Sequence, residues 1–175
     1  MRVIGGEFRS RVLKSLPGVD VRPTPDRMRE SLFSILAPRI RGCLFLDLYA
    51  GTGAVGIEAL SRGAERAIFV EHNLAAVEVI RANLKSLRLE QQGTVWHGRA
   101  ASVIPKIETA DIAFLDPPYP LEHEYERSLL ALANEPPGLV IVQHSSRFAI
   151  GESYGVLKKG RVVKQGENTL SFFAA

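Results

Sequence analysis

The run Leu44-Phe45-Leu46-Asp47-Leu48-Tyr49-Ala50-Gly51-Thr52-Gly53-Ala54-Val55-Gly56 decides the fold of this 175-residue chain. Its apolar first part predicts a buried strand, its glycines a tight turn, and its last residues the start of a helix. Glycine permits positive φ and lets a ligand approach the backbone closely. A strand, a Gly-rich turn and a helix in this order are typical of a nucleotide-type site in an α/β sheet.

The glycine turn leaves two classes of cofactor open. Gly51-x-Gly53-x-x-Gly56 fits the dinucleotide fingerprint, and Glu71 lies at the spacing of its ribose-binding acid. An NAD-dependent oxidoreductase is therefore one alternative. Against it, the charge of Asp47 at the strand end would repel a pyrophosphate but attract an amine and a sulfonium, and the chain has no obvious hydride-transfer site. S-adenosylmethionine is the predicted cofactor, with its cationic centres near Asp47 and its ribose hydroxyls on Glu71.

A second motif, Asp116-Pro117-Pro118-Tyr119, follows the apolar run Ile112–Leu115. Its prolines fix φ and remove two N–H donors, so the Pro117 carbonyl can face a ligand. A planar amine could donate to that carbonyl and to Asp116 while its ring stacks on Tyr119. The motif predicts a holder for the exocyclic amine of a nucleobase. The alternative is a strand that ends in a Pro-rich turn with a core tyrosine.

Apolar runs and helical periodicity alternate along the rest of the chain. Strands are predicted at 44–48, 67–71, 94–97, 112–115 and 139–142, helices at 54–62, 73–87, 101–107 and 122–134, and two antiparallel strands within 154–173. This order implies a parallel sheet with right-handed crossovers and a ligand site at the carboxyl ends of its strands. Asp47, Glu71, Gly98-Arg99-Ala100 and Asp116 all follow such ends, so we expect them to meet at one edge.

Composition excludes several classes of protein. No apolar stretch approaches the roughly 18 residues that cross a bilayer, and the first residues lack the apolar core of a signal peptide. Cys43 is the only cysteine, so neither an internal disulfide nor a thiolate metal cluster can form. The histidines do not cluster at metal-ligand spacing, and we expect no metal site. These features predict a cytoplasmic protein.

The positive charge is concentrated at the N-terminus. Residues 1–41 contain nine basic and four acidic residues, against 13 basic and 15 acidic in the remainder. Eight of the nine are arginine, which suits phosphate recognition, so the segment predicts a polyanion partner; scattered solvated charges are the alternative. Residues 2–4 and 11–13 are expected to form a hairpin. Thr24 is expected to cap a following helix, with Pro25 at its first position.

Several runs together resemble one known family over nearly the full chain. They are Arg2-Val3-Ile4-Gly5-Gly6, Arg22-Pro23-Thr24-Pro25-Asp26-Arg27-Met28-Arg29-Glu30-Ser31-Leu32-Phe33, the glycine turn, Glu58-Ala59-Leu60-Ser61-Arg62-Gly63, Glu71 and Asp116-Pro117-Pro118-Tyr119. On these the chain is similar to the RsmD-type 16S ribosomal RNA (guanine-N2)-methyltransferases. The resemblance implies a class I methyltransferase fold: a Rossmann-like α/β three-layer sandwich whose mostly parallel seven-stranded sheet has an antiparallel last strand. A basic hairpin and helix, residues 1–41, would precede a methyltransferase domain, residues 42–175.

The implied reaction is methyl transfer from S-adenosylmethionine to the N2 amine of a guanine in 16S rRNA. The partner would be the small ribosomal subunit or an assembly intermediate, and the protein is expected to be a monomer. Expected catalytic residues are Asp116, Pro117 and Tyr119. Expected cofactor contacts are Asp47, Gly51, Gly53, Glu71, His72, Arg99, Ala100 and Asp116. Expected RNA contacts are Arg9, Arg11, Arg22, Thr24, Arg27 and Tyr119.

The chain departs from the family pattern at some positions, and other functions remain as alternatives. Arg99 stands where similar proteins usually carry Asp or Asn, and Gln143-His144 stands where they often carry an acidic pair. A DNA adenine-N6 methyltransferase would use the same Asp-Pro-Pro-Tyr turn, although the chain has no obvious separate DNA-recognition domain. A non-catalytic RNA-binding protein would keep the fold without methyl transfer.

Overall fold

The computed structural model describes residues 1–17, 24–118 and 121–175. Two predicted site residues, Arg22 and Tyr119, lie outside the described residues. The helices are α1 (Asp26–Ile40), α2 (Ala54–Ser61), α3 (Leu74–Ser86), α4 (Ala100–Val103) with a 3-10 turn (Ile104–Lys106), and α5 (Glu122–Leu132). The strands are β1 (Leu44–Leu48), β2 (Arg66–Glu71), β3 (Gly93–His97), β4 (Ile112–Leu115), β5 (Leu139–Ser145), β6 (Ser153–Tyr154), β7 (Leu157–Gln165) and β8 (Asn168–Ala174).

The described strands form one sheet in the order β3-β2-β1-β4-β5-β8-β7-β6. The first five are mutually parallel, and β8 lies antiparallel between β5 and β7. The predicted mostly parallel sheet with an antiparallel last strand is confirmed. The sheet has eight described strands rather than seven, because Ser153–Tyr154 adds a two-residue edge strand to β7. The alternation of the tail predicted the β7–β8 hairpin but was too short to show this edge pair.

Helices cover both faces of the sheet. Phe45 and Phe69 point to the face covered by α1, α2 and α3, whereas Leu46 and Ile68 point to the face covered by α4 and α5. Because parallel strands in such a sheet are buried on both sides, they carry nearly continuous apolar runs. The three-layer arrangement is therefore as predicted. No helix among the described residues is both long and apolar enough to cross a membrane.

Glycines allow α2 to begin close against the sheet. Gly53 caps the helix at φ +81°, a left-handed conformation that favours glycine. At Gly56, an added Cβ would lie 2.3 Å from Cε1 of Phe69, a ring buried in β2. The third glycine of the turn is therefore required by helix–strand packing. The next helix, α3, has the predicted cap, since Asn73 accepts hydrogen bonds from the backbone N–H groups of Ala75 and Ala76.

The N-terminal segment packs into the core of the body. The predicted hairpin is present as one antiparallel bridge between Arg2 and Val12, and Val3 and Leu13 are buried in the core on the α1–α3 face. The predicted cap by Thr24 is wrong. Pro25 occupies the cap position of α1 without a side-chain cap, because the Thr24 hydroxyl donates to a tertiary partner described below. The division into an RNA-contacting segment and a methyltransferase domain stays a prediction.

Replacing Gly56 with alanine should destabilise the fold by about 1–3 kcal/mol through the clash with Phe69. Alanine has the higher helix propensity, so propensity alone would change stability in the opposite direction. Urea unfolding would measure the difference, and Phe69→Leu in the same chain should recover part of the loss. A Gly56→Ala protein at least as stable as the parent would contradict this packing role.

Candidate functional site

A cavity of about 1010 Å³ opens at the carboxyl edge of the parallel strands. Its walls come from the ends of β1, β2, β4 and β5 and from the N-terminal segment around Thr24 and Pro25. Many of the predicted site residues line it: Thr24, Asp47, Gly51, Glu71, His72, Asp116 and Pro117. The structure therefore brings the glycine turn and the Asp-Pro-Pro turn to one cavity.

Four polar side chains reach this cavity by the same geometric rule. Each of them lies two residues after an apolar residue of the core on the α1–α3 face; the four are Asp47, Glu71, Asp116 and Gln143. Since side chains alternate along a strand, all four point to that face. Asp47 pairs in register with Phe69 and Phe114, one layer below the other three. It is correspondingly the deepest of the carboxylates, with 2% of its surface exposed.

Asp47 holds the start of α2 and carries a costly charge. Its Oδ2 accepts a 2.9 Å hydrogen bond from the backbone N–H of Gly56, in the first turn of the helix. Burial raises the pKa of Asp47 to about 7; the Gly56 hydrogen bond lowers it, and the nearby carboxylates of Asp116 and Glu71 raise it further. A cation bound in this cavity would favour the ionised form.

Glu71 joins the glycine turn to the residue that caps α3. Its Oε2 accepts from the backbone N–H of Gly51 at 2.8 Å, and its Oε1 accepts from that of Asn73 at 2.8 Å. His72 Nδ1 lies 3.2 Å from the same Oε1. A carboxylate has about four lone-pair sites, so Glu71 retains capacity for ligand hydroxyls while it shapes the loop.

Asp116 lies at the end of β4, partly accessible from the cavity. Its Oδ2 accepts hydrogen bonds from Thr24 Oγ1 and Gln143 Nε2, both at 3.2 Å. Burial raises the pKa of Asp116 to about 7, and the Thr24 hydrogen bond opposes that rise. Thr24 therefore lies beside the predicted catalytic carboxylate and not in a helix cap, and its predicted contact with RNA stays a prediction.

Tyr49 connects the glycine turn to the helix that follows the Asp-Pro-Pro turn. Its backbone is left-handed, at φ +64°, which is strained for a bulky residue. Its hydroxyl lies 2.9 Å from Glu124 Oε2, to which it donates, and 2.7 Å from Ser128 Oγ, both on α5. Burial raises the pKa of Tyr49 well above its ordinary value. The phenol therefore stays a neutral donor that ties β1 to α5.

Other predicted site residues lie away from the cavity lining. Gly53 acts as the backbone cap of α2, Arg99 is exposed at the start of α4, and Ala100 is buried in the α4–α5 core. The backbone N–H of Gly98 donates to the Glu71 carbonyl, which keeps the Arg99 segment next to the end of β2. Arg9, Arg11 and Arg27 are exposed. Their predicted contacts with cofactor or RNA stay predictions.

Tyr49 and Gln143 are among the cavity-wall residues to which sequence reasoning gave no site role. Asp47, Glu71 and Asp116 were predicted to meet because each lies at the end of a parallel strand. The same reasoning applies to the end of β5, where Gln143 follows the run 139–142. Nothing local in the sequence shows that the Tyr49 hydroxyl reaches α5, 75 residues away. Within the described chain, no group of three His, Cys, Asp or Glu side chains could hold a metal ion.

The geometry suits a cationic ligand next to a hydrogen-bond donor. Two carboxylates with raised pKa values, the buried Asp47 and the partly buried Asp116, face one cavity, and neither forms an ion pair with Lys or Arg among the described residues. Bound positive charge would stabilise both ionised forms, and N–H donors would satisfy their oxygens. The cavity could thus hold a cationic cofactor and an amine together.

Comparison with known proteins gives a family. A family model described as "Conserved hypothetical protein 95" matches residues 1–174. The protein "Putative rRNA methyltransferase YlbH" of Bacillus subtilis is 38% identical over 166 residues, 90% of this chain and 89% of that protein. "Ribosomal RNA small subunit methyltransferase D" of Escherichia coli K12 is 39% identical over 119 residues, 68% of this chain. The second match spans 60% of that relative.

Solved structures show the same architecture. The structure of "Putative methyltransferase yhhF" from Escherichia coli superposes with a TM-score of 0.86 and 28% identity, covering 100% of this chain and 98% of that one. A hypothetical protein from a Thermus species superposes with a TM-score of 0.81 and 30% identity, covering 100% of this chain and 99% of that one. The class I methyltransferase fold predicted from the resemblance is confirmed.

Replacing Asp47 with asparagine should stabilise the fold at high pH, because it removes a buried charge but keeps an oxygen for Gly56. The folded-state pKa of Asp47 is raised to about 7, so its carboxyl destabilises the native state increasingly as pH rises from the unfolded pKa of about 4 to that value, and by a constant amount above it. We expect roughly 2 kcal/mol at pH 8 and almost no difference near pH 4, where the carboxyl is largely protonated in the folded state. Unfolding at both pH values measures this; equal gains at both would contradict it.

Replacing Thr24 with valine should raise the pKa of Asp116 above its already raised value of about 7. The variant loses a donor to the ionised carboxylate, an effect of about one unit. Carbon-13 NMR titration of the aspartate carboxyls measures the midpoint, and Asp116→Asn assigns the resonance. Thr24→Ser keeps the hydroxyl and should titrate like the parent. An unchanged midpoint in the valine variant would show that the hydrogen bond has no electrostatic effect.

Proposed function

The chain belongs to the RsmD-type family, and from this premise we propose that it methylates the N2 amine of a guanine in 16S rRNA, with S-adenosylmethionine as the methyl donor. The substrate would be the small ribosomal subunit or an assembly intermediate. The names of the Bacillus and Escherichia relatives support rRNA as the substrate class. The guanine and its N2 atom are the more specific part of the proposal.

One observation carries the proposal: Asp116 and Asp47 face the same cavity. Asp47 belongs to the glycine turn, which would hold the methyl donor, and Asp116 belongs to the turn that would hold the acceptor. The two carboxylates are near enough for Asp116 to raise the pKa of Asp47. Because methyl transfer requires donor and acceptor in line and in contact, a single cavity for both is the basic geometric requirement.

The residues of the cavity fit S-adenosylmethionine. Its cationic amino acid end would lie near Asp47, whose buried carboxylate lacks a Lys or Arg partner among the described residues. Its ribose hydroxyls would bind Glu71, beside His72 and the backbone of Gly51. When bound, the cofactor supplies a methyl group made electrophilic by the sulfonium. The volume of about 1010 Å³ is at the upper end of ordinary ligand cavities, which leaves room for a base as well.

Asp116 and Pro117 would position the acceptor. The exocyclic amine of a base is a weak nucleophile because its lone pair is delocalised into the ring. Hydrogen bonds from the amine to the Asp116 carboxylate and the Pro117 carbonyl would favour a pyramidal nitrogen and direct its lone pair to the methyl. Most of the acceleration would come from this orientation and from the exclusion of water. The proton that the nitrogen loses after methylation can pass to Asp116, whose pKa is about 7.

Tyr119 and the arginines would hold the RNA. A base must leave its stack to reach the cavity, and Tyr119, outside the described residues, is proposed to stack on it. Arg9, Arg11, Arg22 and Arg27 are proposed to bind phosphates, a contact that weakens with salt.

Methyl transfer from labelled S-adenosylmethionine to small subunits that lack the modification tests the proposal, followed by digestion and identification of the nucleoside. We expect N2-methylguanosine at one site with the parent chain. Asp116→Ala should reduce the rate at least about 100-fold while cofactor binding is retained. Asp116→Asn keeps one acceptor oxygen and should fall between the two.

Other products of the same assay would contradict the proposal. N6-methyladenine on DNA without transfer to subunits would make the chain a DNA methyltransferase. Binding of RNA without transfer would make it a non-catalytic RNA-binding protein. Near-normal turnover by Asp116→Ala would refute the proposed mechanism even if N2-methylguanosine were found.

Removing both exposed arginines of the hairpin, by Arg9→Ala with Arg11→Ala, should weaken subunit binding and reduce the salt dependence of the affinity. The slope of log K against log salt should fall by about one to two. Arg39→Ala with Arg41→Ala is the matched control, since these two exposed arginines lie at the C-terminal end of α1, opposite to the cavity. Filter binding at several salt concentrations measures both. An equal loss in the control would show that general charge, and not this hairpin, binds RNA.

A further inference from the structure

The side-chain oxygen of Gln143 is a buried acceptor that the fold does not satisfy. Gln143 is 6% exposed and lies in the cavity wall at the end of β5. Its Nε2 donates to Asp116 Oδ2 at 3.2 Å, whereas its Oε1 has no hydrogen-bond partner among the described residues. A buried carbonyl oxygen left without a donor is costly, so a donor from the contents of the cavity would stabilise it.

The unsatisfied oxygen lies next to the acceptors proposed for the substrate amine. Asp116 follows Leu115, and Gln143 follows Val142, which pairs with Leu115 in register. The amide nitrogen that donates to Asp116 shares its carbon with Oε1, so the two acceptor oxygens are neighbours. Gln143 Oε1 is itself covered in this structure, so a ligand whose amine reaches Asp116 would present its adjacent atom to Oε1 after a small rotation of the Gln143 side chain.

The chemistry of the bases determines which ligand fits two neighbouring acceptors. Adenine and cytosine each have an exocyclic amine next to a ring nitrogen that accepts a hydrogen bond. Guanine has an exocyclic amine next to N1–H, which donates. Of the bases that carry an exocyclic amine, guanine alone offers donors to both Asp116 and Gln143, and adenine or cytosine would place two acceptors in contact.

We propose that Gln143 Oε1 accepts N1–H of the target base and thereby selects guanine over bases whose ring atom beside the amine is an acceptor. This inference rests on the proposed function, and it names the residue that sets base specificity. Gln143 also fixes Asp116 through its amide N–H, so one side chain orients the carboxylate and reads the base. A site built around a hydrogen bond rejects an analogue that lacks the donor, because its buried polar atom is then unpaired.

The test uses small subunits reconstituted with either guanosine or 2-aminopurine at the mapped target nucleotide. 2-Aminopurine keeps the amine at C2 but has an acceptor at N1. The parent chain should methylate guanosine faster by about 10- to 100-fold. Gln143→Leu, which is similar in volume, should lose most of this ratio, mainly because its rate on guanosine falls. 2-Aminopurine also lacks O6, so the change of the ratio between parent and variant is the decisive quantity.

Gln143→Glu is the matched control. It keeps an acceptor for N1–H but loses the donor to Asp116, so it should be slower on both substrates while it still prefers guanosine. Calorimetric binding of S-adenosylhomocysteine, near the parent value in both variants, shows that the fold is intact. It also keeps the inference testable if either variant is inactive for another reason.

The outcomes separate the inference from the proposed function. If the parent chain does not methylate guanosine, the proposed function fails. If it does, but Gln143→Leu keeps the full preference, or the parent shows no preference, the assignment of Gln143 is overturned while the proposed function stands. Loss of preference in Gln143→Leu together with its retention in Gln143→Glu is the result that the inference predicts.

Discussion

The carboxylate of Glu58 is the contact on which the arrangement of the cavity depends. It is buried in α2 and accepts hydrogen bonds from the backbone N–H groups of Ile4 and Gly5, at 2.9 and 2.8 Å, and from Arg62 Nε at 2.8 Å. Nη1 of the fully buried Arg29, on α1, lies 3.7 Å from its Oε2. One side chain thus joins the N-terminal hairpin, α1 and α2. Breaking such a buried network by removing one partner is strongly destabilising, because the remaining charges stay buried.

This junction matters for function because it places the start of α1 over the cavity. Thr24, just before α1, then donates to Asp116, 92 residues later in the chain. The N-terminal segment therefore contributes to the predicted catalytic centre as well as to the predicted RNA surface. Arg9, Arg11 and Thr24 belong to the same body as the cavity wall, so RNA bound by the hairpin would be aligned with the turn that is proposed to hold the acceptor.

The cavity retains charges that a purely structural site would avoid. The pKa values of Asp47 and Asp116 are both raised to about 7 by burial, so their ionised forms lower the stability of the native state at neutral pH. Tyr49 adds backbone strain at the same place. Perturbed carboxylates and strained backbone concentrated in one cleft are typical of a functional site. A bound cation would relieve the electrostatic part of this cost.

Much of the fold could be predicted from local patterns. Apolar runs predicted the positions of the parallel strands. Side chains of β1, β2 and β4 alternate between the two faces of the sheet, which explains why Asp47, Glu71 and Asp116 meet. What could not be predicted depends on contacts between distant residues. Thr24 had the right neighbours for a helix cap, but its hydroxyl donates to Asp116 instead. Arg99 and Ala100 follow a strand end as expected, yet β3 is an edge strand, and the described cavity lies over the central strands.

The central claim is that one cavity holds the methyl donor and the acceptor side by side. A crystal structure with S-adenosylhomocysteine tests it most directly, because the sulfur marks where the methyl would leave. The account predicts the homocysteine end at Asp47 and Gly51, ribose hydroxyls on Glu71, and the sulfur facing Asp116 and Pro117. A ligand bound elsewhere, or a sulfur that faces away from the Asp-Pro-Pro turn, would contradict it.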